Sequence, residues 1–85
     1  MINYEPEPIS LKDELAAFYT EHAVSPREQE IITRVIEGKS NREIGEVLFI
    51  SANTVKTHIR NIYKKLGVSN RVQLVHAIKV NHPGK

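Results

Sequence analysis

Cysteine and tryptophan are absent from this 85-residue chain, glycine and proline occur four times each, and the aromatic rings are three tyrosines and two phenylalanines. Without cysteine there is no disulfide framework, no thiolate metal site and no cysteine nucleophile, which suits a reducing cytosol and makes cytoplasm the expected compartment. No apolar run approaches the ~18–20 residues of a membrane span, and the acidic N-terminus does not read as a signal peptide. The glycines stand apart, so no phosphate-cradling loop is formed. His22, His58, His76 and His82 share no metal-ligand spacing. The paired carboxylates Glu5/Glu7 and Asp13/Glu14 are exposed by pattern and lack a cleft to perturb them. No metal, no cofactor and no enzymatic activity are expected.

One further absence is more informative. No acid occurs after Glu46: all ten lie in the first 46 residues, where five bases (Lys12, Arg27, Arg34, Lys39 and Arg42) leave a balance of −5. The remaining 39 residues hold Lys56, Arg60, Lys64, Lys65, Arg71, Lys79 and Lys85, a balance of +7. The overall +2 therefore conceals an asymmetry of the kind expected for a face that meets a polyanion.

Eighty-five residues make one domain, whose core is marginal unless several helices share it. Residues 1–9 (MINYEPEPI) are acidic and carry two prolines, so they read as a tether. Ser10 and Asp13 offer a capping-box-like start to an amphipathic helix reaching about Thr20, with Leu11, Leu15, Phe18, Tyr19 and His22 on one face. That face could pack on the helices that follow, on a second copy, or on an upstream domain. Ser25-Pro26-Arg27-Glu28 is a stronger start signal, a capping serine before proline at the first helical position and a glutamate placed to reach back. Ile31, Ile32, Val35 and Ile36 should line its buried face, and Gly38 stands where a left-handed stop belongs. Ser40 with Glu43 repeats the box for a second helix, with Ile44, Val47 and Leu48 expected inward. Gly45 inside that helix costs about 1 kcal/mol relative to alanine, which points to a close helix–helix approach.

After a tight connection at Phe49-Ile50, Ser51 caps a longer helix to Leu66, ended by Gly67. Val55, Ile59, Ile62 and Leu66 form its apolar seam, with Tyr63 at the edge, while Lys56, Arg60 and Lys64 form a stripe pointing away. Ser69 opens a last helix over 70–80, with Leu74, Val75 and Ile78 facing the core and Val72, His76 and Lys79 on the other side. The expected fold is all-α: a four-helix domain at 25–81 with a helix-turn-helix at about 40–66, preceded at 1–24 by the tether and extra helix, and followed by a frayed tail at 82–85. Two short helices joined by a tight turn, the second basic, is the arrangement that lets a helix enter a DNA major groove.

The run VSPREQEIITRVIEGKSNREIGEVLFISANTVKTHIRNIYKKLGVSNRVQLV resembles, position by position, the LuxR/FixJ-type (GerE-like) helix-turn-helix domain of bacterial transcription regulators. The carrying pieces are SPRE at 25–28, EGKSNREIG at 37–45, ISANTVKTHIRNIYKKL at 50–66 and SNRVQLV at 69–75, about 50 of the 85 residues. It departs at Gly45, where the family usually has alanine, and at Phe49. Residues 1–24 lie outside the match.

The resemblance implies a sequence-specific DNA-binding regulator whose 51–66 helix lies in the major groove of double-stranded DNA. Lys56 and Arg60 match the family's base-facing positions, with Thr57 between them; lysine and arginine can donate to guanine O6 and N7, and a threonine methyl can meet a thymine methyl. Asn53 and Thr54, on the first turn, suit a phosphate, and Asn53 could equally serve only as a local cap. Arg42, Lys64, Lys65 and Arg71 flank the groove side as candidate phosphate contacts, Lys64 ahead of Lys65. His58 borders the apolar seam and reads as half-buried and structural rather than base-reading. Val72, His76 and Lys79 are the expected homodimer surface, and an upstream signal-receiving domain is a further expected partner. The rival readings are a sigma-factor region-4-like promoter-binding fragment, a protein-interaction module whose basic helix binds an acidic partner, and a membrane-surface amphipath. Against the last, the apolar seam is narrow and holds no Trp or Phe.

Overall fold

The computed structural model describes residues 11–80, with side chains from Leu15 onward; the 1–9 tether, the Ser10 cap and the 82–85 tail lie outside the described residues. Five helices follow one another: α1 (Leu11–Glu21), α2 (Pro26–Ile36), α3 (Asn41–Leu48), α4 (Ala52–Leu66) and α5 (Arg71–Val80). The class is all-α, a four-helix helix-turn-helix domain with one helix before it.

Local chemistry sets the starts. Ser25 Oγ accepts the Glu28 N–H at 3.2 Å while Glu28 Oε1 accepts the Ser25 N–H at 2.9 Å, and Ser40 with Glu43 repeats this at 3.1 and 2.8 Å. Each such cap is worth about 1 kcal/mol. At α4 the Ser51 Oγ accepts the Thr54 N–H at 3.0 Å, and no carboxylate takes part. The start of α5 differs from expectation by one residue. Asn70 Oδ1 accepts the Gln73 N–H at 2.9 Å, and Gln73 Oε1 accepts the Ser69 N–H at 2.7 Å. The asparagine side chain caps the helix, and the Gln73 side chain reaches back past it to the Ser69 N–H.

Left-handed residues end or follow the first four helices, at Ala23, Gly38, Phe49 and Gly67. For Gly38 and Gly67 this is the inexpensive conformation; for Phe49, at φ 61° and 93% exposed, it costs about 1–2 kcal/mol with no burial to offset it.

The core joins Ile31, Ile32 and Val35 of α2, Ile44 of α3, Val55, Ile59 and Ile62 of α4, and Leu74 and Ile78 of α5. Phe18 and Tyr19 of α1 belong to the same cluster, so α1 packs on the helices that follow it. The Phe18 and His22 rings lie 4.4 Å apart, and His22 Nδ1 is 2.9 Å from the Phe18 carbonyl. Two residues expected inward sit on the flank instead: Ile36 is 37% exposed and Val47 42%. At ~100° per residue each stands about a quarter-turn from the axis of its helix's buried face, Glu28–Ile31–Ile32–Val35 in α2 and Ile44–Gly45–Leu48 in α3.

Gly45 marks a close approach, but to the turn rather than to a helix side. A Cβ there would lie 2.5 Å from the Ile50 carbonyl oxygen and 3.3 Å from the Ala52 nitrogen. The same turn is closed by the Ile50 N–H donating to the Gly45 carbonyl at 2.9 Å. Backbone meets backbone at this point, which fixes how α4 leaves α3; that pair makes the most extensive helix–helix contact in the fold.

Candidate nucleic-acid interface

The 3.6-residue repeat divides α4 into two faces. Val55, Ile59 and Ile62 are buried and Leu66 half-buried, while Asn53, Lys56, Thr57, Arg60, Asn61 and Lys64 are exposed together on the opposite side. Asn61 was not among the residues singled out from sequence; its spacing of four from Thr57 is the signal that places it there. Thr57 Oγ1 donates to the Asn53 carbonyl at 3.2 Å, which leaves the methyl as the group free for a partner. Thr54 Oγ1 accepts from Ser51 Oγ at 2.9 Å, so its own proton remains available to an acceptor. His58 is half-buried at the edge of the seam, as expected. Because Thr54 stands where α2 and α3 carry glutamate, no carboxylate guards the N-terminus of α4, and its free N–H groups and positive dipole end face outward unopposed.

Ion pairing sorts the cations further. Arg27 pairs with Glu30 at 3.3 Å, Arg34 with Glu37 at 3.1 Å and Arg42 with Glu46 at 3.5 Å. Among the described residues no ion pair involves Lys56, Arg60 or Lys64. The Arg42–Glu46 pair is exposed on both sides and worth under about 1 kcal/mol, so a phosphate can displace the carboxylate.

Two cations expected at phosphates are committed within the fold. Lys65 Nζ donates to Glu28 Oε1 at 2.7 Å and to the Ala23 carbonyl at 2.9 Å, joining the end of α4 to the α1–α2 connection. Arg71 donates to Asn41 Oδ1 at 3.4 Å and to the Lys39 carbonyl, which ties the start of α5 to the start of α3. A sequence signal for the first existed: Glu28 falls on the apolar face of α2 with Ile31, Ile32 and Val35, and a buried carboxylate requires a cation.

Burial pushes the Glu28 carboxyl up, but the Lys65 ammonium and the Ser25 N–H and hydroxyl outweigh it and hold the group below the usual carboxylate range. A lowered folded-state value contributes stability that is present above the unfolded value and lost as pH falls through the folded one. Replacing Lys65 with methionine is expected to cost about 2 kcal/mol, or roughly 10 °C in Tm, because it leaves a carboxylate without its cation. The Glu28 part of the acid limb should also flatten, because the cost is greatest while Glu28 is ionised and shrinks as pH falls and the carboxyl takes up a proton. Thermal unfolding across pH 3–7 checks both; an unchanged acid limb would mean that the pair contributes little.

On α5, Val72, His76 and Lys79 are exposed as expected, while Leu74 and Ile78 are buried and Val75 is half-buried. Among the described residues no group of three or more His, Asp or Glu side chains could hold a metal ion, and no helix is long and apolar enough to cross a membrane.

Comparison with known proteins agrees with this geometry. Residues 22–78 match the family model of bacterial regulatory proteins of the luxR family, and the chain belongs to that family. It is similar to the transcriptional regulatory protein LiaR of Bacillus subtilis, at 52% identity over 60 residues covering 71% of this chain and 28% of LiaR. It is also similar to the uncharacterized transcriptional regulatory protein YhcZ of the same organism, at 43% identity over 75% of this chain and 30% of that protein. The CsgBAC operon transcriptional regulatory protein of Escherichia coli is 55% identical over 58% of this chain and 23% of its own length. The chain thus spans less than a third of each of these relatives. No solved structure gave a significant match.

Proposed function

We propose that the domain binds double-stranded DNA in a sequence-specific manner as part of a bacterial transcription regulator, with α4 in the major groove. The observation that carries this reading is the exposed set Lys56, Arg60 and Lys64, without an ion pair among the described residues, on one face of a helix whose first turn holds no acid. Lys56, Thr57 and Arg60 meet base edges, and Arg42, Asn53, Thr54 and Lys64 meet phosphates. Lys65 and Arg71 leave the phosphate set for the structural roles given above. Two copies pair through Val72, His76 and Lys79 of α5, since one helix reads only a few base pairs and a two-fold pair doubles the site. The domain occupies 25–81 and works in the cytoplasm. A signal-receiving part belongs to the additional length that the relatives carry.

Salt titration of the binding tests the reading. With Arg42 and Lys64 as the cations that meet phosphates in each monomer, log K should fall against log salt with a slope of about −1.8, and of about −3.6 for a dimer. Fluorescence anisotropy on duplex DNA at several salt concentrations measures it. A flat response would remove DNA as the partner.

A further inference from the structure

The two edges of the exposed face of α4 differ in charge. At about 100° per residue, the three positions proposed to meet bases, Lys56, Arg60 and Thr57, span in that order an arc of about 100°. Asn61 falls about 40° past Thr57, outside the arc on the side away from Lys56. It stands within about 20° of Thr54, about two turns before it, and both residues are exposed. The cation of this second edge is Lys65, one turn beyond Asn61, and it is committed to Glu28 and to the Ala23 carbonyl. One edge is therefore cationic, and the other offers only neutral groups.

Asn61 has no task inside the fold. Its side-chain amide makes no hydrogen bond among the described residues, and it stands on the side opposite Val55, Ile59 and Ile62. A helix in the ~12 Å major groove presents the middle of its outer face to base edges and its flanks to the phosphates of either wall. Thr54 and Asn61, about 10 Å apart along one line of α4, flank the same wall. An amide donates to a phosphate oxygen without carrying charge. Such a contact adds affinity and leaves the release of counterions as it was.

We propose that Asn61 donates from Nδ2 to a phosphate of the strand that Thr54 meets, so that this flank of α4 holds the DNA backbone by hydrogen bonding alone. The contact rests on α4 lying in the major groove, as proposed above.

The probes are an operator selected from a random-sequence duplex pool and a scrambled duplex of the same length, each titrated with the full 85-residue chain at several salt concentrations. Asn61→Ala should weaken binding to both by roughly three- to tenfold and leave the salt slope unchanged, unlike loss of a cation. Asn61→Lys should steepen the slope by about 0.9 per monomer on both duplexes, because a cation then stands at that phosphate. The position is exposed, so both variants should keep the fold, which thermal unfolding confirms. A loss in Asn61→Ala confined to the operator would make Asn61 a base reader and overturn the proposal. A loss below about twofold on both duplexes would overturn it too, as would a slope that does not move in Asn61→Lys. If the unsubstituted chain bound neither duplex, the placement of α4 would fall and this contact with it; the other adverse outcomes remove the contact alone.

Discussion

Replacing Arg60 with alanine is expected to weaken binding to the cognate operator by about 1–3 kcal/mol and to relax preference at one base pair, leaving the fold intact. The expectation follows from position. Arg60 lies two turns into α4 on its exposed face and has no ion-pair partner among the described residues, so its guanidinium is free to fork onto a guanine. Lys64, one turn further along the stripe, lies where a helix in the groove begins to pass the backbone. Lys64→Ala should weaken cognate and random duplexes alike and make the salt slope shallower by about one. Binding of both variants to cognate and scrambled duplexes, each at several salt concentrations, decides the matter. If Lys64→Ala removed discrimination while Arg60→Ala acted uniformly, α4 would lie in the groove with the opposite tilt.

Gly45→Val should destabilise the domain by about 3 kcal/mol, a fall in Tm of roughly 12–24 °C. The Cβ alone would stand 2.5 Å from the Ile50 carbonyl oxygen, and the contact is with backbone that cannot rotate aside. Valine adds two methyl groups to that clash and a β-branch to a short helix. Gly45→Ala is the informative control. Its gain of about 1 kcal/mol in helix propensity offsets part of the displacement it forces on the turn, so it should fall well short of the valine variant. Thermal unfolding of the two proteins separates steric from propensity effects; equal Tm values would show that the turn yields freely.

Much of the architecture was legible because its signals are local. Ser25, Ser40 and Ser51 are short-range devices, the first two read with a glutamate three positions on, and all three cap the helices expected of them. The division of α4 into a seam and a cationic stripe is likewise a matter of period. What escaped depends on residues distant in sequence. Lys64 and Lys65 are neighbours with the same charge, yet a contact spanning 37 positions turns Lys65 inward to Glu28. The partners of Arg71 lie 30 and 32 positions away. Periodicity shows which way a side chain points but not what meets it. Ile36 and Val47 show the same limit, since an apolar residue a quarter-turn off the face is buried only where a neighbour reaches it. The cap of α5 escaped for a different reason: Ser69 and Asn70 are adjacent good caps, and the choice was made by Gln73.

The separation of the two faces of α4 also bears on how such a domain can change over time. Its orientation is held from behind, by the buried seam, by the backbone contact at Gly45 and by the Lys65 latch. Lys56, Arg60, Asn61 and Lys64 contribute to none of these, and substitutions at exposed positions of this kind stay within about ±0.5 kcal/mol of neutral for stability. A lineage can therefore exchange the residues proposed to face the operator one at a time, each intermediate remaining folded, without rebuilding the scaffold. The freedom stops one residue past Lys64, because the next lysine belongs to the scaffold.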